Sequence, residues 1–227
     1  MLKIECVIPK APTHAINLLI DATFFGMEYG YLCFHDNQNI IYFEEIKSES
    51  IAAFKSALYK LINAGFRFKS FTIDGKRGFI QTLKSIFPST PIQMCHFHQK
   101  AIIKRYITNN PKTQCGLELK SLMNRLSSDE PQSFIDQFYS LQAKYAEFLK
   151  EKNDNNQYVH GRIRSAIRSI KSNLPYLFVY KEINANIPHT TNKLEGAFSH
   201  LKEKIRIHRG MNKNRKKKAA KFILINS

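Results

Sequence analysis

Asp21 interrupts a strongly apolar run, INLLIDATFF at 16–25, where Leu18, Leu19, Ile20 and Phe24 surround it. A charge buried there must be paired, protonated or bound to a metal, because leaving it alone in an apolar setting costs several kcal/mol or more. Asp74 ends a second apolar run, FKSFTID at 68–74, directly before Gly75. If these two runs are neighbouring strands, both carboxylates reach one edge of a sheet. Hard divalent ions take oxygen ligands, and two such ions about 3.5–4 Å apart serve both the attacking and leaving oxygens of phosphodiester chemistry. A third acid, Glu195, precedes Ser199, Lys202 and Arg206 on one helical face. Each acid also has a plainer reading. Asp74 suits a turn or a helix cap, and Asn192 with Glu195 has the spacing of a capping box. Cys95-x-x-His98, with His96 inside it, is half of a zinc site. Structural zinc needs four ligands and no second pair stands nearby, so the alternative is polar residues orienting their neighbours at a strand–helix junction.

The elements that must position these residues are legible from periodicity and turn signals. Runs at 16–25, 29–35 and 40–46, separated by short turns, predict an antiparallel meander. Ser48 or Ser50 can cap a helix carrying Ile51, Phe54, Leu58, Leu61 and Ile62, which Gly65 stops. A strand at 68–74, a helix at 75–87, a brief strand PIQMC and a helix at 96–108 follow. From about 112 to 185 the runs are amphipathic helices, and a closing helix spans about 192–207, with Leu194, Phe198, Leu201 and Ile205 as its apolar stripe. MNKNRKKKAAKF then reads as a basic tail. This order predicts an α/β fold with a mixed sheet, ribonuclease H-like, interrupted by an all-helical insertion before the last acid. The expected divisions are 1–111 for the first part of the core, 112–185 for the insertion, and 186–227 for the closing helix and tail.

Charge points to the partner. There are 35 Lys and Arg against 18 Asp and Glu, a formal +17 with pI near 9.7. Such a field attracts polyanions. From Lys202 to Lys221 there are ten basic residues and one acid, among them Arg206, Arg209, Arg215, Lys216, Lys217 and Lys218. Arg164 and Arg168 share a helical face with Lys171. These groups are the expected phosphate contacts, with a solvated charge run as the alternative for the tail. Nothing here reads base sequence. Four separated cysteines suit reduced thiols, and no segment approaches the ~18 apolar residues of a membrane span, so a cytoplasmic, nucleoid-associated protein is expected.

Four blocks together carry a resemblance: LLIDATFF, TIDGKRGF, PIQMCHFHQKAIIKRYITNNPKTQCGLEL and TTNKLEGAFSHLKEKIRIHRGM. In this order they resemble the mutator-type transposases of bacterial insertion sequences. The resemblance implies a ribonuclease H-like DDE domain with Asp21, Asp74 and Glu195 as catalytic metal ligands for Mg²⁺, Mn²⁺ being able to substitute. It matches Cys95 and His98 to the family's C-x-x-H signature, a conformational and DNA-handling feature. It implies double-stranded DNA as partner, at both element ends and target: water cleaves a strand, then the freed 3′-hydroxyl attacks the target. Processing two ends together would suit a homodimer, although no interface is legible. Family members normally carry a DNA-recognition region at the N-terminus, and only about fifteen residues precede the first strand here. The expectation is therefore a truncated copy, a fragment, or a catalytic region working with a separately encoded recognition region. The competing readings are an inactive copy kept as a DNA-binding module, and a different nuclease on the same fold.

Overall fold

The computed structural model describes residues 6–183, 186–208 and 210–226. Its sheet begins as a meander of β1 (Ile16–Phe25), β2 (Tyr29–His35) and β3 (Ile40–Ile46). Helix α1 (Ile51–Asn63) then leads to β4 (Phe68–Ile73), and α2 (Arg77–Ile86) leads to β5 (Ile92–Met94). The sheet order is β3-β2-β1-β4-β5, antiparallel across β1, β2 and β3 and parallel across β1, β4 and β5. The turn signals act as expected at α1. Ser50 accepts the Ala53 N–H at 3.1 Å, and Gly65, at φ +89°, ends the helix in the left-handed region that glycine enters without a Cβ clash.

All of β2 is buried, because helices cover both faces of the sheet. The strand alternation of β1 sorts its side chains between them. Leu18 and Ile20 join Leu32 and Phe34 against Phe54, Leu58 and Leu61 of α1 and Phe79 and Leu83 of α2. Leu19 faces the other way, with Tyr31, Cys33 and Phe43, against α9 (Asn192–Ile207) and α10 (Lys213–Ile225). A third core gathers Ile103 and Ile107 of α3 (His96–Ile107) with α4 (Gln114–Asn124), α5 (Pro131–Lys144) and α7 (Gly161–Leu177). Helices α6 (Ala146–Lys150) and α8 (Val179–Glu182) complete the stretch between α3 and α9. Buried polar bonds tie this helical stretch to the sheet. Gln93 of β5 donates to the Leu177 carbonyl at 2.8 Å and accepts the Tyr180 N–H at 3.0 Å, and His96 Nε2 meets the same Leu177 carbonyl at 2.6 Å.

The C-terminal basic segment differs from expectation. It is the helix α10, not a tail. Its Ala220 and Leu224 are fully buried beneath the sheet, and the Tyr31 hydroxyl donates to the Lys217 carbonyl at 3.2 Å. Lys213 pairs with Glu28, and Lys217 and Lys221 pair with Glu45. Truncating Leu224 should therefore leave a cavity. Leu224→Ala is expected to destabilise the protein by about 2–5 kcal/mol in a urea titration, while Phe222→Ala, on the exposed side of the same helix, stays within about 0.5 kcal/mol. Equal, small effects at both positions would mean that α10 does not dock.

Candidate active site

Asp21 sits on β1 opposite Cys33, on the face that Leu19 presents to α9. Only 7% of it is exposed, and its Oδ1 accepts the Ala22 N–H at 2.8 Å. Leu19 of β1 lies level with Thr72 of β4 in the last pair of their parallel ladder, and just beyond it Asp74 is close enough for its charge to act on Asp21. Asp74 lies one residue beyond β4, and its Oδ1 accepts the Lys76 N–H at 3.0 Å. The turn role anticipated for it is real, and it coexists with a place at the sheet edge. Gly75 makes that turn at φ +78°, where a Cβ would strain the backbone and stand 2.0 Å from Met94 Sδ, displacing that side chain.

Glu195 arrives from the far end of the chain. Thr191, not Asn192, is the N-cap of α9, and it makes no side-chain cap bond. Asn192 is already helical, so the capping box does not form and the Glu195 carboxylate is free to face the cleft. The segment before α9 is strapped down across β1, β4 and the start of α3. Asn17 Nδ2 donates to the Asn186 carbonyl at 3.1 Å, Thr72 Oγ1 to the Pro188 carbonyl at 2.6 Å, and the His96 N–H to the His189 carbonyl at 2.9 Å. Thr191, fully buried, closes the strap: its N–H donates to Cys95 Sγ at 3.3 Å, and its hydroxyl lies 3.3 Å from the same sulfur. Cys95 therefore anchors the helix that carries Glu195.

His98 lies between the acids. Its Nε2 is 3.3 Å from Glu195 Oε1 and 3.8 Å from Asp21 Oδ1, and one ligand atom each of Asp21, His98 and Glu195 all fall within 4.8 Å of one another. Neither Asp74 nor Cys95 belongs to that group. Burial raises the Asp21 carboxyl to about 7, opposed by His98 and the Ala22 N–H and reinforced by Glu195 and Asp74. Burial alone would lower His98, but Cys95 beside it and the charges of Asp21 and Glu195 override this and carry it up to about 9. Asp74 is also raised, chiefly by burial. Two carboxylates this close repel each other, and a cation between them relieves the repulsion. His98 supplies that charge. Cys95 on one side and the two carboxylates on the other hold the ring between them. Two carboxylates and one imidazole nitrogen make a donor set for a divalent cation once His98 has given up its proton.

The cluster floors an open cleft of about 740 Å³ whose walls include Phe97, Lys104 and Arg105 of α3 and Ser199 and Lys202 of α9. Of the anticipated phosphate contacts, Lys202 lies here. Arg206 and Arg168 are exposed on α9 and α7, outside the cleft lining. Arg164 is engaged within the helical stretch, donating to the Leu149 carbonyl at 2.6 Å and lying over the Tyr158 ring. Lys217 is paired with Glu45, Arg215, Lys216 and Lys218 belong to α10, and Arg209 lies outside the described residues. Lys104 and Arg105 were not anticipated. A stripe at 97, 101, 104, 105 and 108 on α3 could have revealed them.

Residues 34–215 match the profile of the family described as "Transposase, Mutator family". The matched span includes Asp74, Cys95, His98 and Glu195, and Asp21 stands ahead of it. No curated protein matches the sequence significantly.

Burying Asp21 has a sign that stability can read. A carboxyl raised from 3.8 to about 7 favours the fold while protonated, so its contribution is full below pH 4 and is lost as pH rises through 7. Without divalent ions, Asp21→Asn should therefore be more stable than the wild type above pH 7, by roughly 1–3 kcal/mol. The difference should shrink toward pH 4 and on adding Mg²⁺. Urea titrations across that range test this, and an Asn variant weaker than wild type at every pH would contradict it.

Proposed function

The chain belongs to the Mutator family of transposases, and on that premise we propose that it cuts and joins DNA through a DDE-type catalytic core. The observation that carries this reading is the meeting of Asp21 and Glu195, from opposite ends of the sequence, around His98 at the floor of a basic cleft. Asp74, at the end of β4 and near enough to act on Asp21, is in this reading the third carboxylate. A sheet of order β3-β2-β1-β4-β5, with an antiparallel meander at one side and parallel strands at the other, supports a ribonuclease H-like core. In this reading residues 1–111 and 186–227 form that core and 112–185 the helical insertion.

Asp21, Asp74 and Glu195 would hold Mg²⁺, or Mn²⁺ in its place. When bound, such ions activate the attacking oxygen and stabilise the leaving one at phosphorus. The chain's own residues do the rest. Lys104, Arg105 and Lys202 draw the phosphate backbone onto the acid cluster. Until an ion binds, the His98 ring stands between Asp21 and Glu195 in its place, while Cys95 and Thr191 fix the start of α9. The substrate is double-stranded DNA at insertion-element ends and at the target. Water serves as nucleophile in cleavage and a 3′-hydroxyl in joining, both in-line displacements. No helix among the described residues is long and apolar enough to cross a membrane.

Purified protein with Mg²⁺ or Mn²⁺ should nick or join DNA, and Asp21→Asn, Asp74→Asn and Glu195→Gln should each abolish this while retaining salt-sensitive DNA binding. Activity in all three variants equal to wild type would eliminate the catalytic assignment. Binding without chemistry in the wild type would favour an inactive copy that serves as a DNA-binding module. Replacing Lys104, Arg105 and Lys202 together by alanine should flatten the slope of log K against log salt by about 3, near 0.9 for each phosphate that is no longer neutralised. An unchanged slope would put the DNA elsewhere on the surface.

A further inference from the structure

Helix α3 turns two faces in different directions. Its buried face carries His96, Gln99, Ile103 and Ile107. The face toward the cleft carries Phe97, Ala101, Lys104 and Arg105. Phe97 is the outlier there: a large apolar ring, 48% exposed, in a pocket whose charged walls attract a polyanion. Its ring stands edge-on to His98, centroids 5.5 Å apart at 89°, which places it directly beside the acid cluster. Ala101, one turn along the same stripe, is too small to cover it. Packing alone does not call for a phenylalanine here, since the helix already buries its other face.

An exposed aromatic ring among lysines and arginines has a definite complement. Nucleobases stack on such rings whatever their sequence, while basic neighbours hold the backbone. A paired base inside a duplex offers its neighbours its faces, not the protein. Only an unpaired base can lie flat against a ring in a cleft. We propose that Phe97 is a stacking platform for one unpaired nucleobase, held beside the phosphate that lies over Asp21, His98 and Glu195. The preferred substrate at the moment of chemistry is then DNA that is locally single-stranded next to the scissile position. This rests on the cleft being the DNA site, as proposed above, but not on any particular chemistry taking place there.

The chain contains no tryptophan, so Phe97→Trp introduces a single indole reporter at the platform. A short single-stranded thymidine oligonucleotide should quench its fluorescence at saturation. A fully abasic strand of equal length should bind with little quenching, binding itself being followed by anisotropy of a labelled strand. In the otherwise native protein, Phe97→Leu keeps the apolar bulk without the ring. It should weaken single-strand binding about fivefold or more, the low end of what one base–aromatic stack contributes, and leave abasic binding unchanged. Equal quenching by the abasic strand, or a bound oligonucleotide that quenches nothing, overturns the platform while leaving the DNA cleft intact. If neither strand binds the wild-type protein in a salt-sensitive way, the DNA-cleft reading fails and the platform falls with it.

Discussion

Everything in this protein is arranged around an electrostatic burden, the confinement of Asp21 and Glu195 within a few ångströms of each other in a partly water-excluded cleft. Burial of the Asp21 carboxyl is the largest part of that burden, and the nearby charges of Glu195 and Asp74 add to it. A fold selected only for stability would have placed a leucine at position 21, on a strand face where Leu19 and Cys33 already pack. The raised carboxyl of Asp21 follows chiefly from its burial, and the raised imidazole of His98 from Cys95 beside it and from the two acids. Perturbed groups of this kind concentrate where a protein has work to do.

Holding such a cluster demands rigidity around it, and the structure supplies it through α3. That helix shares its apolar side with α4, α5 and α7, while its first turn presents His98 to the acids and Cys95, its N-cap, meets the start of α9. Sheet, helical stretch and closing helix thus meet at residues 93–98. Gln93 and His96 bind the end of α7 through the Leu177 carbonyl, and burial lowers His96 to about 4, leaving it neutral and suited to this structural bond. Two histidines one residue apart have opposite characters, one buried among aromatic rings and one between carboxylates.

The sequence made the sheet readable because its strands are short, apolar and separated by strong turn signals, and Ser50 and Gly65 act locally. Asp21 was conspicuous for the same reason: it breaks an apolar run. What stayed hidden depends on partners distant along the chain. The lysines of α10 mask the spacing of Ala220 and Leu224, which becomes meaningful only beneath Tyr31. The Asn192–Glu195 spacing suggests a cap, but the strap through Pro188, His189 and Thr191 starts the helix one residue earlier. His98 looks like half a zinc site until the fold sets it between two acids, and Arg164 looks like a phosphate contact until Tyr158 is beneath it.

The same geometry explains how a net charge of +17 is divided. On α10, Lys213, Lys217 and Lys221 face Glu28 and Glu45, so much of that basic run is spent holding the helix to the sheet. Among the described residues Lys104, Arg105 and Lys202 have no such ion pairs, although they line a cleft with acids at its base. An anionic backbone approaching bare carboxylates would be repelled. It can settle there only if cations stand on the walls and positive charge lies between the acids. His98 is the fold's own version of the latter, and a metal ion would be a stronger one. The walls attract and the floor repels until neutralised, so the depth to which a phosphate would enter depends on what occupies the floor.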